Sequence, residues 1–353
     1  MKKEFNSRGA GTATPDGIAI FLNINGVLGD FKTHLHNEGK AEADGTPKWE
    51  ELDRKWWGTV PVYHGAKKFY ADLKQLGFVK LLSSPMPSVD GFSGKADWLT
   101  ESFATQRGRF ALLDIITCPT RSKYFLAGPG HILVDDNPKS VREWNAAGGI
   151  AVHHQGDFAQ TLQAVQDAIA DFRRMPSQCH IPEGKAVFLD LDGVLADFET
   201  HLHSEGKAND DGSPKWDDLD HAWWSTMPVF RGAKKFYQDV RALAPVNYLS
   251  APIPHADCFS GKAQWIVSNM AGARRQSRFA LLDLVLCSAK DKYFLAGPGR
   301  ILVDDRIKNV QQWEAAGGIG IHHKGDFTQT LQAMREALAA DNKKDAAPSV
   351  PAP

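Results

Sequence analysis

Short, continuous apolar runs alternate with amphipathic stretches along the chain. Ala186 to Leu189 is one such run, partly β-branched or aromatic, and it stops at Asp190-Leu191-Asp192-Gly193. Its length and composition predict a buried strand. VKLLSSP (79–85) and VNYLSAP (246–252) read as strands ending in Ser and Pro, while HILVDD (131–136) and RILVDD (300–305) end in paired acids. GAKKFYADLKQL (65–76) and GAKKFYQDVRAL (232–243) place Ala, Phe and Leu at helical spacing after a Gly entry. Strands alternating with helices predict an α/β fold, a parallel sheet with helices on both faces.

The pattern occurs twice. FLNINGVLGDFKTHLHNEGK (21–40) returns as FLDLDGVLADFETHLHSEGK (188–207), and PKWEELDRKWWGTVPVYHGAKKFY (47–70) as PKWDDLDHAWWSTMPVFRGAKKFY (214–237). One offset aligns the copies as far as Trp98 and Trp265. Past that point the second copy carries two extra residues, in the polar stretch SNMAGARRQSR (268–278), where a loop tolerates insertion. The expected organisation is a disordered N-terminus (1–17), a first domain (18–172), a linker (173–184), a second domain (185–340) and a disordered tail (341–353). In each repeat the polar, Trp-rich stretch between the acid turn and the GAKKFY helix is expected to form a small helical cap.

Composition narrows the field. The 353 residues exceed one ordinary core and suit two domains of about 150 residues each. Lys and Arg number 41 against 42 Asp and Glu, with no long basic block, so no extended nucleic-acid surface is expected. The N-terminal stretch has no apolar core of a signal peptide, and no run approaches the roughly 20 apolar residues that span a bilayer. Four cysteines without a CxxC spacing suit a reduced, cytoplasmic protein.

The acid turn is the strongest chemical signal. Asp190 and Asp192 stand two apart at the carboxyl end of a strand, where open α/β sheets bind ligands, and Gly193 permits a sharp turn. Close carboxylates repel unless a cation or shared proton separates them, which points to Mg²⁺, a hard oxygen-seeking ion. The plainer alternative is that D-x-D-G is only a turn.

DLDGVLADF (190–198) resembles the first motif of the haloacid dehalogenase (HAD) superfamily of phosphatases, and its DGVLADF form resembles the 5'(3')-deoxyribonucleotidase group. The resemblance covers both repeats and implies two tandem HAD-like, Rossmann-like domains. In the second it implies Asp190 as nucleophile and Asp192 as general acid/base. Ser250 and Lys292, with Gly193, would serve the substrate phosphate, Lys292 also acting in catalysis; Lys290 is the alternative lysine. Mg²⁺ would be held by Asp190, Asp192 (through its backbone carbonyl) and Asp304, with Asp305 supporting them. The implied substrate is a small phosphomonoester, a nucleoside monophosphate first. A sugar phosphate, a nucleic-acid end and non-catalytic nucleotide sensing are the alternatives.

In the first repeat, Asn23 and Asn25 stand where the second has Asp190 and Asp192. An amide neither forms an acyl phosphate by that route nor shuttles a proton. Ser83, Lys123, Asp135 and Asp136 persist, leaving a degenerate phosphate pocket. One account keeps the first domain because it packs against its twin, an intramolecular pairing in place of a dimer, with further homodimerisation open. A second has it bind a phosphorylated ligand without cleaving it, and a third has the asparagines introduced by design.

Other residues divide between packing and ligand roles. Trp56-Trp57, Trp223-Trp224 and Phe198 could stack on a base, with core packing expected of at least one Trp in each pair. His201 and His203 follow the acid turn. The doublets His153-His154 and His322-His323 lack the companions of a zinc site and suit a structural purpose. Lys95 and Lys262 either touch phosphate or decorate the surface, Arg231 replaces His64 near the cap, and Cys118 and Cys287 look buried.

Overall fold

The computed structural model describes residues 17–103, 108–174, 183–271 and 277–345. The N-terminus to residue 16, residues 104–107, most of the linker (175–182), part of the inserted stretch (272–276) and the end of the tail (346–353) lie outside them.

The first repeat runs β1 (Ala19–Asn23), α1 (Phe31–Asn37), α2 (Arg54–Gly58), α3 (Ala66–Leu76), β2 (Phe78–Ser83), α4 (Asp90–Phe103), β3 (Ile115–Thr117), β4 (His131–Asp135), α5 (Pro138–Ala146), β5 (Ile150–His153) and α6 (Phe158–Arg174). The second runs β6 (Ala186–Leu189), α7 (Phe198–Ser204), α8 (His221–Ser225), α9 (Ala233–Arg241), β7 (Val246–Ser250), α10 (Ala256–Asn269), β8 (Leu284–Leu286), β9 (Arg300–Asp304), α11 (Ile307–Ala315), β10 (Ile319–His322) and α12 (Phe327–Asp345). Two features correct the sequence reading. Strands β3 and β8 add to the expected set: Ile115-Ile116-Thr117 and Leu284-Val285-Leu286, three residues each after a 3₁₀ turn, are too short to carry a period. Helix α12 extends through residues 341–345, which the sequence reading gave to the tail.

The architecture is mixed α/β with a mostly parallel sheet. By packing, the chain divides into two compact units that do not follow the repeat boundaries. Unit one holds the described residues of the first repeat together with 216–225 and 251–288. Unit two holds those of 183–215, 226–250 and 289–345.

In unit one, β1 pairs in parallel with β2 and β4, β2 with β3, and β4 with β5. An antiparallel bridge, Thr117 to Leu286, adds β8 at the β3 edge. Helix α4 packs against both α2 and α10. Arg54 ties these elements together: Nε donates to Asp97 at 2.6 Å and Nη1 to Asp257 at 2.6 Å. In unit two, β6 pairs in parallel with β7 and β9, and β9 with β10. Val187, Phe188 and Leu189 are fully buried, as a strand covered on both faces requires.

The histidine doublets have structural partners. His154 Nδ1 meets Thr161 Oγ1 at 2.9 Å and His323 Nδ1 meets Thr330 Oγ1 at 2.8 Å, and each ring stacks on Phe158 or Phe327. His153 Nε2 lies 3.1 Å from the carbonyl of Asp136, and His322 Nε2 lies 2.9 Å from that of Asp305, which fixes the backbone behind the acid pairs. All four tryptophans of the Trp pairs are buried, as are Phe198, Cys118 and Cys287. Among the described residues no helix is long and apolar enough to cross a membrane.

Candidate active site and the corresponding site of the first repeat

The central strand of unit two, β6, ends at Leu189, and the next residue, Asp190, is 6% exposed. The chain turns at Gly193, whose φ of 84° is a left-handed conformation that a side chain would strain. A Cβ at Gly193 would also collide with the Asp305 carboxylate. Glycine is therefore needed here twice, for the turn and for the close approach of the β9 acids. The Gly193 N–H donates to Ala196 O at 2.9 Å within the turn.

Strand β9 brings Asp304 beside Asp190, and Lys292, from the preceding 3₁₀ segment, bridges them. Lys292 Nζ lies 2.9 Å from Asp190 Oδ2 and 2.7 Å from Asp304 Oδ2, with all three residues buried. Asp304 accepts further hydrogen bonds from the Arg306 N–H at 2.9 Å and from Asn309 Nδ2 at 3.0 Å. Asp190 Oδ1 accepts from the Leu191 N–H at 2.8 Å. Ser250 ends β7, fully buried, and Asp192 is half-buried in the turn.

Electrostatics divide the carboxylates. Burial, reinforced by the charges of Asp304 and Asp192, raises the Asp190 carboxyl well above its ordinary range against the pull of Lys292. Burial also acts on Asp304, but the Lys292 charge and the hydrogen bonds from Lys292, Arg306 and Asn309 outweigh it and hold that carboxyl low. Asp305 is raised by burial and by Asp304. Burial opposes the charge on Lys292, yet Asp190 and Asp304 keep its ammonium above the ordinary lysine range.

Oxygen atoms of Asp190, Asp304 and Asp305 lie within 4.8 Å of one another. Asp305, expected only to support the ligands, thus stands among the candidate ligands, and its buried Oδ1 has no hydrogen-bond partner among the described residues. An all-carboxylate donor set with one orphaned oxygen fits a hard divalent cation such as Mg²⁺.

Unit one carries the counterpart site with different chemistry. Lys123 Nζ lies 3.0 Å from Asp135 Oδ2, as Lys292 does from Asp304, but its second contact is the Asn23 amide oxygen at 3.2 Å. Asn23 Nδ2 donates to Asn25 O at 2.7 Å and to Asp136 Oδ1 at 3.1 Å. Ser83 accepts from Lys95 Nζ at 2.8 Å. Lys95 and Lys262 are both buried, which overturns the surface reading of these lysines; each ammonium lies 4.8 Å over a Trp ring, Trp57 or Trp224. Only the sequence SGKA, small residues around the lysine, hinted at this. His64, Arg231 and His203 are exposed and His201 is buried.

No protein-family model and no curated protein matches the chain. Among solved structures it is similar to the HAD domain of the effector protein Lem4 from Legionella pneumophila, an inactive mutant. The identity is 14% over 46% of this chain and 98% of that one, with a TM-score of 0.27. The strand pairing and the site geometry, rather than this likeness, define the class: an α/β protein with a carboxylate–lysine cluster at the carboxyl ends of two adjacent parallel strands.

Proposed function

We propose that the second repeat is a Mg²⁺-dependent phosphomonoesterase of the HAD type, acting on nucleoside monophosphates through a phosphoaspartate on Asp190, and that the first repeat does not hydrolyse. The observation that carries this reading is the bridge of Lys292 between Asp190 and Asp304, with Asp305 alongside. The nucleotide preference rests on the likeness of DGVLADF (192–198) to the deoxyribonucleotidase motif.

Asp190 Oδ2 attacks phosphorus in line and the ester P–O bond breaks. Asp192 gives its proton to the leaving oxygen, then takes one from the water that attacks the acyl phosphate, releasing inorganic phosphate and restoring Asp190. Lys292 and the Ser250 hydroxyl donate to the equatorial phosphate oxygens. Asp190, Asp304, Asp305 and the Asp192 carbonyl would hold Mg²⁺, which when bound supplies positive charge that offsets the approach of two anions. Lys292 pulls Asp190 toward its charged form against burial and holds it aimed.

The test is phosphate release from 5'- and 3'-ribo- and deoxyribonucleoside monophosphates, with and without Mg²⁺, beside an Asp190→Asn control. Mg²⁺-dependent release that the control lacks is the expected result. No release from any nucleotide would sink the nucleotidase reading, and release that survives Asp190→Asn would sink the mechanism.

A further inference from the structure

The pocket of the first repeat is not simply a site stripped of its acids. A cavity of about 180 Å³ opens there, lined by Asn23, Asn25, Lys32, Ser84, Thr120, Lys123 and Ser140 and by the remaining acids Asp135 and Asp136, the latter paired with Lys32 Nζ at 3.3 Å. Compared with the second repeat, most of the exchanges run in one chemical direction. Asn23 and Asn25 replace Asp190 and Asp192, Lys32 replaces Glu199, and the buried Ser122 replaces Asp291. Ser84 and Thr120, with their hydroxyls 2.8 Å apart, replace Ala251 and Ala289. One exchange runs the other way, Asn137 for Arg306. Negative charge leaves and hydroxyl donors arrive. Loss of function by drift predicts the first change but not the second.

Two further observations point to a ligand. Ser140 replaces Asn309, whose amide holds Asp304 at 3.0 Å in unit two. The shorter side chain leaves its Oγ with no hydrogen-bond partner among the described residues, although Ser140 is only 4% exposed. The pocket also lies at the N-terminus of the nine-residue α5, where backbone dipoles favour an anion.

The Asn23 amide also makes a cation unnecessary. Its two N–H groups already satisfy Asn25 O and Asp136 Oδ1, the counterparts of two candidate Mg²⁺ ligands, Asp192 O and Asp305. Lys123 completes the charge balance against Asp135. A volume of about 180 Å³ is below that of a drug-sized pocket, roughly 300 Å³ and up, so it suits a phosphoryl group rather than a whole nucleotide.

We infer that the first-repeat pocket binds a phosphate-type oxyanion, either free phosphate or the phosphoryl end of a monoester, without a divalent cation and without cleaving it. Lys123, Lys32 and the hydroxyls of Ser84, Thr120 and Ser140 are its donors. The inference is independent of what unit two hydrolyses.

The experiment is calorimetric titration of the full chain with inorganic phosphate in EDTA, repeated with a phosphonate analogue of a nucleoside monophosphate. Saturable binding in EDTA is expected. The variant carrying Lys32→Glu, Ser84→Ala and Thr120→Ala, which restores the second-repeat residues at partly or fully exposed positions, should weaken it by about tenfold or more with unchanged melting temperature. Tighter binding of the analogue assigns a monoester, and tighter or equal binding of phosphate assigns the free ion. Absence of saturable binding in EDTA, binding that appears only with Mg²⁺, or binding that the triple variant leaves unchanged would each overturn the inference. Asp190→Asn locates the heat: its titration in EDTA should match that of the unaltered chain, and a change there, tighter or weaker, would place the anion in unit two and refute the proposal.

Discussion

The side-chain amide of Asn23 donates to Asp136 Oδ1 at 3.1 Å, so the first repeat holds its acid pair with a neutral donor where the second has Asp190 facing Asp305. Asn23→Asp removes that donor and sets a third carboxylate beside the buried Asp135 and the half-buried Asp136. Unfolding in EDTA should show a loss of about 2–4 kcal/mol. Mg²⁺ should restore much of it, whereas the unaltered first repeat gains nothing from the ion. Equal melting of the variant with and without Mg²⁺ would count against the comparison drawn between the two sites.

Lys292 is the counterpart test in unit two. Lys292→Met leaves Asp190 and Asp304 buried without their shared cation, at a cost of about 3–5 kcal/mol in urea unfolding without Mg²⁺. Added Mg²⁺ should recover stability without recovering turnover. A variant as stable as the parent in EDTA would show that the bridge contributes little.

Gly193 and Gly317 separate strain from crowding. Both have φ above 80°, but a Cβ at Gly317 meets nothing within 4 Å whereas one at Gly193 meets the Asp305 carboxylate. Gly317→Ala should cost about 1–2 kcal/mol, the left-handed penalty alone. Gly193→Ala should cost more and should weaken the Mg²⁺ response of the protein's melting temperature. Equal losses would mean that Asp305 moves aside freely.

Lys95 gives the first repeat a pH dependence. Burial, and then the charge on Lys123, lower its ammonium to about 7. The unfolded chain titrates near 10.4, so it binds more protons than the folded chain between about pH 7 and 10, and stability from this residue rises with pH across that window. Below about pH 7 both forms are protonated and the cost of the buried charge is present in full. Lys95→Met should flatten that rise, and urea midpoints taken across the window would show it. Parallel profiles for the two proteins would contradict it.

Arg54 offers a test away from the pockets. Its hydrogen bonds to Asp97 and Asp257, the Asp97 bond first, raise the guanidinium against partial burial. Because the three side chains are partly exposed, at 45%, 31% and 22%, Arg54→Ala should cost only about 1 kcal/mol, and less at high salt. A larger, salt-insensitive loss would mean that packing of the Arg54 stem dominates.

The acid turn, the Ser at the strand end and the acid pair were legible because each is a local pattern: an apolar run, then a polar residue at a fixed step. The repeat made them legible twice, and it exposed Asn23 and Asn25 as departures. What escaped the sequence depends on contacts between distant segments. Lys95 and Lys262 look like surface lysines until the neighbouring Trp57 and Trp224 are seen beneath them. Asp305 sits next to Asp304 in sequence, but only the turn at Gly193 brings its carboxylate into the ligand group. Strands β3 and β8 are too short to carry a period, and the grouping of 216–225 and 251–288 with the first repeat is invisible to any local pattern.

That grouping bears on whether the halves can be parted. Helix α10 of the second repeat beds on α4 of the first, and β8 closes on the β3 edge. A chain that discarded its first half would strand these pieces of the second with apolar faces in water. The first half is therefore needed as a packing partner whatever its pocket binds, so the stability of the second repeat and the chemistry at Asn23 and Asn25 are separate properties of one fold.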